Sequence, residues 1–344
     1  MSHHEYDTNQ NPICTVDPYD YLKIIRNPDG RTITRHLQVP TKSASPDPTS
    51  LSPVLTKDVT LNPTHNTWIR IFLPSKALTN TNNDDNKLPL IVYYHGGGFI
   101  LLSASSSFHH DFCSDMAAQL SAVVVSVEYR LAPEHRLPAA YDDAFEALDW
   151  IKSTDEIWLR EFADVSNCFL MGTSAGGNIT YHVGLRALTA VDELAPLKIK
   201  GLVLHHSFFG GVKRTESEIR LVNNPVLPLS GNDLMWELAL PIGVDRDHEY
   251  SNPTADVRRW SDNCDGIKGL GWRLLVVGCD GDPLIDRQVE FVEMLKKNGV
   301  DVVSQFSQGY YHGVEIVDPT KATELFVLLT QFLNNDNSQL PKLK

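Results

Sequence analysis

Cysteine is scarce in this sequence, and basic residues are outnumbered by acidic ones. The five cysteines are widely scattered and include no C-x-x-C pair, which argues against a disulfide framework and against a zinc site. The net charge is −13, from 30 Lys and Arg against 43 Asp and Glu. Nucleic acids and anionic membranes both attract basic surfaces, so we expect neither as a partner.

Long apolar runs are also absent. No stretch reaches the roughly 18 apolar residues of a membrane-spanning helix, and the N-terminal segment lacks the basic start and apolar centre of a secretory signal. We therefore expect a cytoplasmic protein in a reducing compartment. The 344 residues, of which 42% are hydrophobic, suffice for one large core. We expect a monomer or weak dimer that acts on a small molecule.

Short apolar runs alternate with helical patterns along most of the chain. Eight runs predict strands, at residues 57–61, 67–73, 88–94, 122–129, 167–172, 198–204, 272–278 and 301–306. Helical patterns occur at residues 111–120, 139–153, 175–188, 285–299 and 321–334. The middle strand runs are continuous in Val, Ile and Leu, as in strands buried on both faces. The alternation predicts an α/β fold with a mostly parallel, eight-stranded sheet and helices on both faces.

Two other segments do not follow this alternation. The polar residues 79–89 predict a hairpin-like connection between strands. The segment between the sixth and seventh predicted strands far exceeds the usual connection of about 2–6 residues and has a helical pattern at 232–240. We interpret it as an insertion over the end of the sheet. The predicted arrangement is one domain, 1–344, with a cap formed by approximately 1–50 and 207–265.

Two glycine-containing motifs follow predicted strands. GTSAG, at residues 172–176, is a G-x-S-x-G motif between a strand and a helix, a context typical of a nucleophile elbow. Ser174 is therefore the candidate nucleophile. HGGGF, at residues 95–99, follows another strand, and a loop of this kind can offer backbone N–H groups to an oxyanion beside the N–H of Ala175.

A general base and an orienting acid are expected after the serine, with the acid first. The loop after the seventh predicted strand offers Asp280, Asp282 and Asp286, and the loop after the eighth offers His312. The carboxyl ends of parallel strands meet at one edge of a sheet, so these loops can approach Ser174. Chain order alone does not separate the three aspartates.

Five motifs together resemble the plant carboxylesterases of the hormone-sensitive-lipase type, over nearly the whole chain. They are HGGGF, EYRLAPEHRLPAAYDD, GTSAGGN, GDPLID and GYYHG. The resemblance implies an α/β-hydrolase fold with a helical cap, and a serine carboxylesterase that needs no metal or other cofactor. It also implies a catalytic triad of Ser174, Asp282 and His312, and an oxyanion hole of Gly97, Gly98 and Ala175.

Two positions depart from the pattern of that family. Thr173 stands where relatives usually carry Asp or Glu, and His206-Ser207 stands where they often carry Gln-Pro or Glu-Pro. The family also contains dehydratases, cyclases and gibberellin receptors. The departures therefore leave open an enzyme of specialised metabolism that eliminates or cyclises in the same pocket. His312, which the receptors lack, argues against a hormone receptor.

Six residues are candidates for the substrate pocket. They are Phe99, Thr173, His206, Phe208, Trp236 and Tyr311. The aromatic members favour an apolar acyl or ring substrate. His206 could face the pocket as an added acid–base group or could be a hydrogen-bonded structural residue. We expect no metal at the histidine pair, because the sequence places no carboxylate or third histidine at ligand spacing.

Overall fold

The computed structural model describes residues 14–79 and 87–335. The first 13 residues of the predicted cap lie outside the described residues, as does most of the connection predicted at 79–89. Within the described ranges, none of the helices combines the length and apolarity needed to cross a membrane.

One eight-stranded sheet forms the centre of the molecule, beside a small two-stranded ribbon. The ribbon consists of β1 (Ile24–Arg26) and β2 (Ile33–Arg35). The sheet consists of β3 (Val54–Asn62), β4 (Thr67–Pro74), β5 (Leu88–Tyr94), β6 (Val123–Glu128), β7 (Ala163–Thr173), β8 (Ile199–His205), β9 (Arg273–Gly281) and β10 (Val302–Tyr311). The eight predicted strands of the sheet are thus confirmed.

The order of the strands confirms a mostly parallel sheet. The order is β10-β9-β8-β7-β5-β6-β4-β3. From β10 to β6 every neighbouring pair is parallel, and β4 and β3 add an antiparallel edge. The carboxyl ends of β5, β7, β9 and β10 therefore open on the same edge, which is where the sequence motifs lie.

Helices cover both faces of the sheet, as predicted. The described helices are α1 (Pro18–Leu22), α2 (Ser107–Leu120), α3 (Ala139–Ser153), α4 (Ile157–Phe162), α5 (Ala175–Leu188), α6 (Glu216–Arg220), α7 (Leu229–Ala239), α8 (Val257–Gly269), α9 (Ile285–Lys297), α10 (Val314–Val317) and α11 (Pro319–Leu333). A short 3-10 helix occupies Ser75–Thr79.

Alternating side chains of the buried strands supply two separate cores. Along β5, Leu90, Val92 and Tyr94 belong to the core under α3, α5 and α9, whereas Ile91 and Tyr93 belong to the core under α2 and α11. Successive strand residues point to opposite faces, so a continuous apolar run is needed when both faces are covered. This explains why the middle strands lack polar alternation.

The N-terminal segment contacts the mid-chain insertion. The Ser230 hydroxyl in α7 donates to the Val16 carbonyl at 2.7 Å, and the Tyr21 hydroxyl donates to the Val226 carbonyl at 2.7 Å. These contacts support the predicted cap, whose division at approximately 1–50 and 207–265 stays a prediction. Met235 of α7 reaches the HGGG loop, because a Cβ at Gly98 would lie 2.1 Å from its sulfur.

Candidate active site

Ser174 lies on a sharp turn between β7 and α5. Its backbone has φ 56° and ψ −116°, a conformation that is costly for a non-glycine residue and that supports a functional role. The turn is held by tight packing, since a Cβ at Gly176 would lie 1.9 Å from the Tyr94 carbonyl oxygen. The flanking glycines of the motif thus permit a close approach of β5, β7 and α5 that brings the serine to the sheet edge.

Ser174, His312 and Asp282 form one hydrogen-bonded line. The His312 Nε2 atom lies 3.0 Å from the Ser174 Oγ atom, and the His312 Nδ1 atom lies 2.7 Å from the Asp282 Oδ2 atom. The last residues of β10 and β9, Tyr311 and Gly281, are register partners, so the residues that follow them leave the sheet side by side. Strand register therefore places the histidine next to the aspartate.

The three aspartates that the sequence could not separate have different surroundings. Asp280 accepts a hydrogen bond from the Gly309 backbone N–H at 2.8 Å, and Asp286 accepts one from the Ser217 backbone N–H at 2.6 Å. Asp282 is fully buried and is the one of the three that hydrogen-bonds His312. The arrangement therefore favours Asp282 as the orienting acid.

The buried Asp282 carboxylate is stabilised in its ionised form. Burial alone would raise the pKa of Asp282, but the charges and hydrogen bonds of His312 and His206 hold this pKa below its usual range. The Leu284 backbone N–H also donates to Asp282, at 2.9 Å. An ionised carboxylate held in this way can orient an imidazole and stabilise its protonated form.

The HGGG loop lies directly against the serine turn. A Cβ at Gly96 would lie 3.3 Å from the Ser174 Cβ, and Gly97 and Gly98 have φ values of 117° and 59°. Among the described residues, the N–H groups of Gly97 and Gly98 have no protein acceptor. Ala175 begins α5, so its N–H precedes the hydrogen bonds of the helix. These three N–H groups are therefore candidate donors for an oxyanion.

If Gly97 is an oxyanion donor, as the motifs imply, replacing it by alanine is expected to lower kcat by about 10²- to 10³-fold, the usual effect of losing such a donor. The new Cβ would lie 2.1 Å from the Leu101 carbonyl oxygen, so the loop must move. Gly243→Ala is the matched control, because that glycine also has a positive φ, of 90°, but has open space around it. Equal kcat values for both variants, measured by steady-state kinetics, would contradict the assignment.

Three aromatic residues proposed for the pocket are enclosed by protein. Phe99, Phe208 and Trp236 are each at most 1% exposed and pack on one another, with the rings of Phe208 and Trp236 stacked at 4.6 Å. Their burial places them in the core, and a role as pocket wall stays a prediction. Tyr311, beside His312, is 42% exposed and can contact a bound molecule.

Thr173 and His206 both point into the protein. The Thr173 hydroxyl accepts a hydrogen bond from the Tyr93 hydroxyl at 3.0 Å and lies 2.9 Å from the His205 Nδ1 atom. His206 lies between two carboxylates, with its Nδ1 atom 3.0 Å from Asp282 and its Nε2 atom 3.0 Å from Glu315. Both side chains therefore belong to a buried polar network behind the serine and not to an open pocket wall.

Sequence reasoning missed the parts that His205 and Glu315 play in this network. Glu315 follows His312 by three residues and lies on the short helix α10, a spacing that could have indicated a shared location. The carboxylate of Glu315 also lies 3.2 Å from the His205 Nε2 atom, although their alignment is poor for a hydrogen bond.

Two groups of side chains in this network bring together atoms of the kinds that bind metal ions. His206, Asp282 and His312 bring their donor atoms close enough to surround an ion, and so do His205, His206 and Glu315. Within each set, however, histidine nitrogens and carboxylate oxygens contact each other directly at 2.7–3.2 Å. Such direct contacts fit a network of hydrogen bonds and charges better than coordination of one central ion.

Comparisons with known proteins agree on one family. A family model described as alpha/beta hydrolase fold matches residues 91–316. The chain is 53% identical over 323 residues to Carboxylesterase 20 of Arabidopsis thaliana, covering 94% of this chain and 98% of that protein. It is 47% identical over 329 residues to the 3-O-acetylpapaveroxine carboxylesterase CXE1 of Papaver somniferum, covering 93% and 98%.

A solved structure supports the same conclusion. The esterase of Pyrobaculum calidifontis superposes with a TM-score of 0.65 at 27% identity, covering 83% of this chain and 86% of that chain. The chain therefore belongs to the α/β-hydrolase family. Within that family it is a carboxylic ester hydrolase related to the plant carboxylesterases, as its motifs predict. A particular likeness to the kiwifruit carboxylesterase, which the same motifs suggest, stays a prediction.

Proposed function

We propose that this chain is a serine carboxylesterase that hydrolyses small acyl or aromatic esters through an acyl-enzyme on Ser174. The observation that carries the proposal is the unbroken line from Asp282 through His312 to the Ser174 hydroxyl, with hydrogen-bond distances of 2.7 and 3.0 Å. A serine is a weak nucleophile by itself, and a neighbouring base in turn oriented by a carboxylate makes it reactive.

The proposed reaction has two halves that use the same groups. The Ser174 Oγ atom attacks the ester carbonyl carbon as its proton passes to the His312 Nε2 atom. The oxygen of the tetrahedral intermediate carries the negative charge and is stabilised by the N–H groups of Gly97, Gly98 and Ala175. Collapse breaks the bond to the alcohol, which takes the proton from His312. Water then attacks the acyl-serine in the same way and releases the acid.

Access to the nucleophile favours small acyl groups. Ser174 is only 8% exposed, and Met235 packs against the neighbouring Gly98. One relative is named a carboxylesterase of 3-O-acetylpapaveroxine, an O-acetylated compound. By analogy, the proposed substrate is a small-molecule ester, such as the acetyl ester of a specialised metabolite.

The elimination and cyclisation alternative receives no support from the relatives reported above, which are named as carboxylesterases. It depended on Thr173 and His206 altering the pocket, and both side chains are buried in hydrogen-bonded contacts. A hormone receptor would not need the base that His312 supplies to Ser174. Ester hydrolysis is therefore the function that we propose.

The purified protein is expected to hydrolyse 4-nitrophenyl acetate and 4-nitrophenyl butyrate, and an organophosphate that reacts with activated serines is expected to stop the reaction. The release of 4-nitrophenolate gives the rate directly. The same reaction in buffer without the protein gives the background rate. A folded protein, verified by circular dichroism, that hydrolyses neither ester above background would contradict the proposed function.

A further inference from the structure

His206 joins the catalytic aspartate to a second buried carboxylate. The two nitrogens of its ring lie 3.0 Å from the Asp282 Oδ2 atom and 3.0 Å from the Glu315 Oε2 atom. All three side chains are buried. The oxygen that His206 contacts on Asp282 is the same Oδ2 atom that His312 contacts at 2.7 Å. The rings of His206 and His312 therefore share one acceptor.

The geometry favours a protonated His206. A neutral imidazole carries one N–H, whereas an imidazolium carries two. Since each nitrogen of His206 faces an acidic oxygen, both contacts are satisfied when the ring is protonated and the carboxylates are ionised. Burial alone would lower the pKa of His206, but the hydrogen bonds to Asp282 and Glu315 raise it well above its usual value.

The neighbouring histidine behaves in the opposite way. Burial lowers the pKa of His205, which favours its neutral form. Its Nδ1 atom lies 2.9 Å from the Thr173 hydroxyl, so this side chain links the Glu315 end of the network to the residue before the nucleophile. Burial alone would raise the pKa of Glu315, but His205 and His206 hold it below its usual range. The network thus contains one buried cation between two anions.

We propose that His206 is a positioning residue, a charged imidazolium that, together with Glu315, holds Asp282 in place and sets the pH at which His312 becomes an effective base. This inference rests on the proposed function only in giving His312 its role as base. Neither His206 nor Glu315 needs to touch substrate for this effect, because both act through the Asp282 carboxylate.

The direction of the effect follows from the charges around His206. The titratable groups that face it from the packed elements are His205, Cys279, Asp282, His312 and Glu315. With His206 protonated and both carboxylates ionised, the cluster beside His312 carries a net charge of one negative unit. Removing the cation leaves two negative units, which favours protonation of His312. Removing Glu315 instead leaves the cluster neutral.

Three variants separate this role from simple packing. His206→Gln is expected to move the acid limb of the kcat/KM profile, and the titration midpoint of His312, upward by about one pH unit. Glu315→Gln is expected to move neither the acid limb of the profile nor the His312 midpoint upward. The double variant His206→Gln/Glu315→Gln restores the net charge, so both quantities should return close to their wild-type values even if kcat remains low.

The His312 midpoint can be measured without any ester. NMR titration of protein labelled with ¹³C in its histidine rings, with the signal assigned by comparison with His312→Gln, reports the midpoint directly. His182→Gln is the matched control, because His182 is also buried but burial lowers its pKa to about 3, so its removal takes away no charge at neutral pH. Thermal unfolding of every variant measures its loss of stability separately.

The outcomes distinguish this inference from the proposed function. An upward shift in His206→Gln that the double variant reverses would support the positioning role. Equal midpoints in all variants, whatever their loss of activity or stability, would overturn it. A wild-type protein that hydrolyses no ester would contradict the proposed function, and the NMR midpoints would still decide whether His206 controls the charge at His312.

Discussion

Replacing Ser174 by alanine is expected to lower kcat for 4-nitrophenyl acetate by at least about 10⁴-fold, to a rate close to the background. The proposed acyl-enzyme forms on the Ser174 Oγ atom, and the variant has no atom that could take its place. His312 would remain hydrogen-bonded to Asp282, so we expect the fold and stability to be retained. Steady-state kinetics with both nitrophenyl esters measures the loss.

A second serine provides the control for this variant. Ser304 lies in β10, the strand that leads to His312, and its buried hydroxyl has no protein hydrogen-bond partner in the described part of the chain. Ser304→Ala therefore removes the same atom from a nearby buried position without touching the triad. We expect its kcat to stay within a few-fold of wild type. Full activity in Ser174→Ala would remove the basis of the mechanism.

Asp282→Asn is expected to lower kcat by about 10³- to 10⁴-fold while leaving KM nearly unchanged. The carboxylate oxygen Oδ2 faces the Nδ1 atoms of both His312 and His206, whereas an amide offers one oxygen and an NH₂ group. The variant can therefore hold His312 in the wrong tautomer, with its Nε2 atom protonated and unable to accept the proton of Ser174.

Asp280, at the end of β9, and Asp286, in the first turn of α9, are matched controls. Asp280→Asn and Asp286→Asn make the same chemical change, at carboxylates that accept hydrogen bonds from the Gly309 and Ser217 backbone N–H groups and not from His312. We expect both to keep kcat within about fivefold of wild type, as for residues outside the proton relay. A larger loss in either control than in Asp282→Asn would contradict the assignment of the acid. The same variant also tests the cyclisation alternative. A cyclisation driven by pocket shape does not need the proton relay, so Asp282→Asn would keep that activity.

Much of the fold could be predicted because its central strands are buried on both faces. Runs such as residues 88–94 are apolar throughout, and the structure confirms a strand with those bounds. The prediction was less complete where polar residues continue an element. The run at 301–306 extends to Tyr311 in β10, across Gly309 with its positive φ of 72° and an irregular register. No local hydrophobic pattern marks that extension.

The helix α8 shows another limit of the sequence patterns. It occupies Val257–Gly269 within the insertion, a range for which no helix is predicted above. The buried residues Trp260, Cys264 and Ile267 recur at helical spacing, but the Asn, Asp and Gly residues between them lower the intrinsic helix propensity. The N-cap residue Asp256, directly before the helix, accepts hydrogen bonds from the Arg258 and Arg259 backbone N–H groups, so capping starts the helix. Burial of Trp260 and Cys264 then fixes it against the core. Tertiary packing, and not intrinsic propensity, decides this element.

The candidate site likewise contains residues that sequence motifs predict and contacts that only the folded structure shows. Ser174 and the HGGG loop could be found because each motif requires glycines at fixed positions beside a strand. Chain order alone left Asp280, Asp282 and Asp286 open, and the resemblance implied Asp282. The register between β9 and β10 explains in physical terms why Asp282 lies beside His312. The link between His206 and Glu315 joins residues 109 positions apart, and the sequence gives no local signal for such a contact. Long-range pairs of this kind follow only from the folded sheet.

The most direct test of the proposed mechanism is to look for the acyl group on the protein. Wild-type protein mixed with 4-nitrophenyl acetate is quenched in acid during turnover, and its intact mass and peptides are measured by mass spectrometry. We expect one added acetyl group, located on Ser174, and none in Ser174→Ala. Rapid ester hydrolysis that is retained in Ser174→Ala, or an acetyl group that accumulates during turnover on a different residue, would contradict the central claim.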